Sequence, residues 1–349
     1  MKGVLKILEN DQIFKKLKIG NIWLFITEKC NLNCDYCFFK REGKKNLKFS
    51  QALSLLRMLP ANKNYDFVIS GGEPLLCWNF VKDLIEYVRI YHSESKITLQ
   101  TNLYFLSVQK IKFLKENNVI IEPGIDGGFL TNFRHRKGLD RESFNKCIKN
   151  LELLIKYKLT LTPTMTVHPQ ETKYMFNNFR ELVSLGLNAI EVHPAFLAEW
   201  KEKEASEFIK QYVRILEYEK NEHKYLVCKD YSFKIDFFLD LVIRPDGFVL
   251  PNWTYLPFPY ELQKDFFIMK LTNKEIYIFE KNLKEYLEKI KFFFKEKKSY
   301  REFSNFNAGL ILNKSKDAHL EKRFKVYQNL CEEIQKLDLF FCKNNGSKI

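Results

Sequence analysis

Short apolar runs rich in β-branched residues alternate along the chain with longer segments in which apolar residues recur every three or four positions. The short runs predict buried strands, and the periodic segments predict helices with one apolar face. The predicted strands cover residues 22–26, 67–69, 97–99, 119–121, 159–167 and 189–192.

Predicted helices separate these strands. They cover residues 50–59, 78–92, 107–118, 141–158 and 171–186, the last of them ending on Gly186 as a helix C-cap. Strand and helix alternating six times predicts an α/β fold, a partial (βα)₆ TIM-like barrel built on a parallel sheet. In such a barrel the chemistry belongs at the C-terminal ends of the strands.

Three of the eight cysteines in the chain lie within eight positions, directly after the first predicted strand: Cys30, Cys34 and Cys37. Three thiolates can bind three irons of a [4Fe–4S] cluster and leave the fourth iron open to a small molecule. The same spacing also fits one face of a buried helix, but the Asn and Asp residues between the cysteines disfavour a helix interior. Structural zinc usually needs four ligands, and no nearby His or Cys completes that set.

The pattern Cys30-x-x-x-Cys34-x-x-Cys37, with Tyr36 before the last cysteine, resembles the signature of the radical S-adenosylmethionine (radical SAM) superfamily. Residues 71–74, "GGEP", follow the second predicted strand and resemble the second motif of that family. The resemblance implies that the three cysteines bind a [4Fe–4S] cluster and that SAM chelates its open iron. The residues it implies for SAM binding are Tyr36, Gly71, Gly72, Glu73, Pro74, Asn102, Asp126 and Arg136.

Two further segments resemble the same family. "LQTN" ends at Asn102 and resembles a third-strand motif, and "PGIDGG" contains Asp126 and resembles a fourth-strand motif. Gly124 stands where the family usually has a serine that contacts SAM, so this contact is absent here. The resemblance places Arg136 near the SAM carboxylate. Two histidines at the ends of the last two predicted strands are interpreted as structural, His168 and His193.

The C-terminal part resembles the SPASM/twitch extension of sulfatase-maturing and peptide-modifying members of the family. Residues 241–258 resemble its opening hairpin, with Asp246 and Gly247 in the turn and Asn252 in place of the usual cysteine. The remaining cysteines there are widely separated, which predicts a small α+β twitch-like extension without an auxiliary cluster. The predicted organisation is an N-terminal extension (1–20), a radical SAM core (21–230) and a degenerate twitch-like domain with helices (231–349).

Charge and apolar content disfavour a nucleic-acid-binding protein and a membrane protein. The net charge of +14 comes mostly from lysines scattered among glutamates, as on solvated helix faces, so we do not expect a nucleic-acid partner. The chain shows neither a signal peptide nor an apolar run long enough to span a bilayer, which predicts a cytoplasmic protein with reduced cysteines.

The resemblance implies an enzyme. An external one-electron donor, such as a flavodoxin or ferredoxin, reduces the cluster, SAM is cleaved to a 5′-deoxyadenosyl radical, and this radical abstracts hydrogen from the substrate. The branch favours a peptide or protein side chain as the substrate, and a small molecule or a nucleoside is the alternative. A non-enzymatic protein that binds metal or nucleic acid through the same thiols is the alternative from another class. The sequence assigns no further catalytic residue.

Overall fold

The computed structural model describes residues 4–7, 19–39, 45–60, 63–196, 198–222, 239–258, 260–293, 307–312, 315 and 317–344. Its strands are β1 (Val4–Ile7), β2 (Ile19–Phe25), β3 (Asn33–Cys34), β4 (Asp66–Ser70), β5 (Lys96–Thr101), β6 (Ile120–Pro123), β7 (Arg136–Lys137), β8 (Thr164–Val167), β9 (Glu191–Pro194), β10 (Leu239–Ile243), β11 (Phe248–Leu250), β12 (Met269–Leu271) and β13 (Ile276–Phe279). Its helices are α1 (Phe49–Leu56), α2 (Trp78–Tyr91), α3 (Val108–Glu116), α4 (Phe129–His135), α5 (Arg141–Lys156), α6 (Met175–Ser184), α7 (Glu202–Glu222), α8 (Tyr260–Gln263), α9 (Glu280–Phe293) and α10 (Ala318–Asn344).

A nine-stranded sheet runs through the molecule in the order β1-β13-β12-β11-β10-β2-β4-β5-β6. The strands from β10 to β6 are parallel, and the others in this sheet are antiparallel. A separate parallel pair, β8 and β9, continues from β6 through single bridges between Ile121 and Leu161 and between Gly124 and Thr164. The predicted partial (βα)₆ barrel is confirmed, with its six units on β2, β4, β5, β6, β8 and β9.

Side chains alternate along the strands of this barrel. On β6, β8 and β9 every second residue is fully buried against the helices, and the residues between them are only half buried. The half-buried positions face the inside of the open barrel because successive side chains of a strand point to opposite faces. Several of them are polar, which makes the barrel interior suitable for a polar ligand: Gln100, Glu122, Thr164, Thr166, Glu191 and His193.

Several predicted boundaries differ from the observed ones, and two of them have a local explanation. The fifth strand of the barrel begins at Thr164 rather than at residue 159, directly after Pro163, which has no N–H to donate to a strand ladder. The sixth begins at Glu191 rather than at residue 189, because Ala189 has a left-handed φ of 48° that interrupts an extended strand.

The predicted hairpin of the C-terminal part forms between β10 and β11. Gly247 has a φ of +81° in its turn, a conformation that favours glycine. β10 also lies parallel beside β2, so the sheet of the barrel continues into the C-terminal part. The proposed boundary between residues 230 and 231 stays a prediction. Cys228 and the side chain of Cys342 lie outside the described part of the chain, and Cys331 is buried on α10.

No helix in the described part of the chain has both the length and the apolar character needed to cross a bilayer.

Candidate active site

The loop that carries the three cysteines follows β2 and is not helical. Its residues 33 and 34 form β3, which pairs with β7 so that Cys34 lies opposite Arg136. The N–H of Cys37 donates to the carbonyl oxygen of Cys34 at 3.2 Å, and the N–H of Asp35 donates to the carbonyl oxygen of His135 at 2.9 Å. The alternative of a buried helix face is therefore wrong. The loop is held to α4 and β7 by backbone hydrogen bonds.

All three cysteines line one cavity of about 190 Å³. The Sγ of Cys30 accepts hydrogen bonds from the N–H of Leu32 at 3.4 Å and from Asn102 Nδ2 at 3.8 Å. Burial raises the pKa of the Cys34 thiol to about 12, and the charge of Arg136 opposes this shift. Three cysteines that form no disulfide line one cavity, and one of them already accepts N–H groups. This arrangement fits an iron–sulfur cluster, because binding of metal displaces the thiol proton. In the described ranges no three His, Cys, Asp or Glu side chains are spaced to hold a single metal ion.

The GGEP segment packs its backbone against the cysteine loop. The N–H of Gly72 donates to the carbonyl oxygen of Thr27 at 2.7 Å, and the N–H of Glu73 donates to that of Lys29 at 2.8 Å. Gly71 has a φ of +136°, which favours glycine, and a Cβ built there would lie 2.6 Å from the Thr27 oxygen. Both glycines line the cavity. They are needed because two backbones approach each other directly beside Cys30.

We expect Gly72→Ala to destabilise the protein by about 1–3 kcal/mol, the usual range for overpacking. A Cβ on Gly72 would overlap the carbonyl oxygen of Lys29, which is backbone and cannot turn away. The midpoint of urea unfolding measures the effect. Gly309→Ala is the matched control, since residue 309 is helical and nothing lies within 4 Å of a Cβ there. Alanine should raise stability at that position by about 0.5–1 kcal/mol. Equal midpoints for the two variants would contradict the packing argument.

Glu73 is fully buried and binds protein groups rather than lining the cavity. Its Oε1 accepts from the N–H of Leu75 at 3.0 Å and from Thr101 Oγ1 at 2.9 Å, and its Oε2 accepts from the N–H of Asn102 at 2.8 Å. Burial raises the pKa of Glu73 to about 7, against these hydrogen bonds. Asn102 does line the cavity, and its Nδ2 donates to Asn31 Oδ1 at 2.8 Å in the cysteine loop. Glu73 therefore positions Asn102.

Asp126 is 1% exposed and organises the opposite wall. Its carboxylate accepts from Arg136 Nε at 2.8 Å, from Arg136 Nη2 at 2.9 Å, from the N–H of Thr166 at 3.0 Å and from the hydroxyl of Tyr36. Burial alone would lower the pKa of Arg136, but the charge of Asp126 holds it well above its usual range. Arg136 lines the cavity as a permanent cation whose direction Asp126 determines.

The glycine at position 124 has a local explanation. A Cβ built on Gly124 would lie 3.2 Å from both terminal nitrogens of Arg136, a contact tighter than most. The serine expected from the family resemblance would therefore press against the guanidinium. Gly124 leaves room for the arginine that lies beside it.

The predicted site residues separate into two layers. Gly71, Gly72, Asn102 and Arg136 line the cavity with the three cysteines, whereas Tyr36, Glu73, Pro74 and Asp126 are absent from its lining. Sequence reasoning missed further polar residues of the lining, although their alternation with apolar neighbours on the strands was a usable signal: Ser70, Gln100, Glu122 and Thr164.

The two histidines have different surroundings. His168 stacks on His135 with ring centroids 4.2 Å apart and is absent from the cavity lining. His193 lies on β9, and its Nε2 is 3.0 Å from Glu191 Oε2.

The chain is similar in sequence to known proteins. The model of the Radical SAM superfamily matches residues 24–183. The cysteine-type anaerobic sulfatase-maturating enzyme of Clostridium novyi (strain NT) is 26% identical over 163 residues, which cover 43% of this chain and 44% of that protein. The chain spans about half the length of the curated relatives it matches.

Solved structures share the fold. Native anSMEcpe with bound AdoMet and Kp18Cys peptide superposes with a TM-score of 0.58 at 20% identity, covering 73% of this chain and 78% of that one. Streptococcus suis SuiB bound to precursor peptide SuiA gives a TM-score of 0.54 at 14% identity, covering 70% and 63%. The likeness covers more of this chain than the barrel alone.

Proposed function

Because the model of the Radical SAM superfamily matches residues 24–183, we propose that the protein is a radical SAM enzyme that modifies a peptide or protein side chain. The observation that carries the proposal is that one cavity is lined both by the three cysteines and by polar residues of the inner barrel. This lining brings cluster ligands and polar groups that can bind SAM or a substrate together in one place. Two proteins of similar fold, anSMEcpe and SuiB, have been solved with bound peptides, which supports a peptide substrate.

The residues of this chain hold and orient the cofactors. Cys30, Cys34 and Cys37 would bind the [4Fe–4S] cluster, and Asn102 and Arg136 would bind the amino-acid part of SAM. When bound, the reduced cluster supplies the electron that cleaves SAM, which yields the radical that removes hydrogen from the substrate. Asp126 and Glu73 contribute by positioning Arg136 and Asn102.

The cluster is proposed to be the single one in the protein. The hairpin position that carries a cysteine in the resembled branch holds Asn252, which is fully buried. Its Nδ2 donates to Asp240 Oδ2 at 3.1 Å, and its Oδ1 accepts from the N–H of Thr254 at 3.0 Å. Both ends of the amide are used in the local structure. The twitch-like fold would be kept here by hydrogen bonds instead of metal.

A reductant must deliver the electron, and we propose a flavodoxin or a ferredoxin. The net charge of +14 favours association with an acidic protein partner. The same charge suits an acidic segment of a peptide substrate.

The test is 5′-deoxyadenosine formation by protein reconstituted anaerobically with iron and sulfide and supplied with dithionite and SAM. Peptide fractions of a host-cell extract should increase the rate, whereas fractions of small molecules should not. Stimulation by small molecules alone would overturn the peptide assignment. Failure to form 5′-deoxyadenosine with full iron loading, bound SAM and every fraction would overturn the activity.

We expect Glu73→Gln to weaken SAM binding about tenfold, which corresponds to about 1.4 kcal/mol, while iron loading is retained. Glutamine has one acceptor oxygen, so an N–H that now bonds to the carboxylate loses its partner and Asn102 is no longer held. Equilibrium dialysis with labelled SAM measures the affinity. Glu116→Gln, an exposed change at the end of α3, is the control. Unchanged affinity in Glu73→Gln would remove the positioning role.

A further inference from the structure

A chain of hydrogen bonds crosses four strands on the inner wall of the cavity. Ser70 Oγ donates to Gln100 Oε1 at 2.5 Å, Gln100 Nε2 donates to Glu122 Oε1 at 2.8 Å, and Thr164 Oγ1 donates to the same Oε1 at 3.0 Å. These residues lie on β4, β5, β6 and β8, and all four line the cavity. The carboxylate of Glu122 is therefore held in one orientation by neighbours from both sides.

Only one oxygen of this carboxylate is used. Both hydrogen bonds to Glu122 arrive at Oε1, and Oε2 accepts none from the part of the chain that the structure describes. Since Glu122 lines the same cavity as the cysteines, Oε2 is an acceptor that a ligand can reach. A half-used carboxylate on a cavity wall is costly unless a bound group completes its hydrogen bonds.

The charged groups around Glu122 make this wall negative. Glu191 and His193 lie on β9, which pairs with β8 so that Thr164 is opposite Glu191. Burial and then the charge of Glu191 raise the pKa of Glu122 to about 7, against the hydrogen bonds from Thr164 and Gln100 and the charge of His193. Two carboxylates and one histidine favour a positively charged ligand there.

The cavity is therefore lined by groups of opposite charge. Arg136 is directed by Asp126, so it suits the carboxylate of SAM. Glu122 lies on β6, two residues before the Gly124 that Arg136 approaches, and has no role in the cofactor site proposed above. A substrate group bound there would share the cavity with the cluster and SAM.

We propose that Glu122 binds a cationic side chain of the substrate, an ammonium or guanidinium group, so that the peptide presents a lysine or arginine in the cavity. This inference rests on the proposed function, and it names the class of residue that enters the site. Gln100 and Thr164 act as positioning residues because they direct Oε2 toward the cavity.

The test uses protein reconstituted with iron and sulfide and saturated with SAM, and two short glycine–alanine peptides as probes. One peptide carries a central lysine, and the other carries norleucine, which has a similar aliphatic chain without the charge. Calorimetric titration should give at least about tenfold tighter binding of the lysine peptide, the scale of one charged hydrogen bond. Glu122→Gln, which keeps an acceptor for Gln100 and Thr164, should bind the two peptides equally. Glu152→Gln, an exposed carboxylate on α5, is the control and should keep the preference.

The pH dependence gives a second readout. The preference for lysine should grow between about pH 6 and about pH 8 in the wild type, because Glu122 loses its proton in this range and only the carboxylate attracts a cation. Glu191 and His193 are retained in Glu122→Gln, so a flat profile in that variant assigns the change to Glu122.

Three results would overturn the inference. The first is equal binding of both peptides by the wild type, which needs no variant to fold. The second is an undiminished lysine preference in Glu122→Gln. The third is a loss of SAM affinity in Glu122→Gln as large as that in Arg136→Met, which would assign Glu122 to the SAM site. Absence of 5′-deoxyadenosine is a separate failure, because it would overturn the proposed function and leave the binding preference measurable.

Discussion

A variant with Cys30, Cys34 and Cys37 all replaced by alanine is expected to bind almost no iron after anaerobic reconstitution and to form no 5′-deoxyadenosine. An iron–sulfur cluster in a protein is held mainly by cysteine thiolates, and these three are the cysteines that line the cavity. Iron and sulfide analysis together with the visible absorption spectrum measures the result. Cys34→Ala alone should already abolish activity, since Cys34 is the cysteine held opposite Arg136 by the strand pair β3–β7.

The same variant tests whether the protein has an auxiliary cluster. About four irons per chain with a [4Fe–4S] spectrum in the triple variant would contradict the single-cluster proposal. Near-zero iron would support the single-cluster proposal. Asn252 stands at the hairpin position in place of a cysteine, and its buried amide is hydrogen-bonded to Asp240 and Thr254. Cys77→Ala is the control, because Cys77 is also a free, half-buried thiol near the GGEP segment and should be dispensable for iron binding.

Local patterns in the sequence predicted the barrel and the position of the cysteine loop. The six strands could be predicted because a buried strand needs a run of apolar residues. Such a run can be recognised on its own, without knowledge of the rest of the chain. The position of GGEP after the second barrel strand could be predicted for the same reason. Tight approaches such as that of Gly72 to Lys29 need glycine, which explains the glycines of this motif once the structure shows two backbones meeting there.

Long-range pairings could not be predicted in this way. The pairing of β10 with β2 joins segments more than two hundred residues apart, and neither segment contains a pattern that identifies its partner strand. The hydrogen bond that the N–H of Asn102 donates to Glu73 could not be predicted either: the motif indicated a ligand contact, but the buried carboxylate accepts from the end of a neighbouring strand. The sequence did not identify Glu122 as a site residue. A single polar residue in a short strand looks like a break in the apolar pattern until the inner face of the barrel is known.

The ion pair between Asp126 and Arg136, ten residues apart in the sequence, has the largest expected effect on stability. Arg136→Met should lower the free energy of unfolding by about 3–5 kcal/mol, because it leaves a carboxylate buried without its counter-charge. Asp126 would still accept from Thr166 and Tyr36, but neither group carries a positive charge. Urea unfolding of the protein without cofactors, followed by circular dichroism, measures this change.

Adding Asp126→Asn to Arg136→Met should recover part of the lost stability, so that the double variant is more stable than the single one. The amide of asparagine carries no charge, its oxygen can still accept from the N–H of Thr166, and its Nδ2 can donate to the oxygen of Tyr36. Lys82→Met is the matched control: Lys82 and Glu86 form a surface pair at 3.6 Å with side chains 48% and 46% exposed. Breaking that pair should cost no more than about 0.5 kcal/mol. If the effects of Asp126→Asn and Arg136→Met on the free energy of unfolding simply add, the two residues are not energetically coupled. In that case the ion pair does not hold Arg136 at the edge of the cavity, and it does not hold Cys34 there through Arg136.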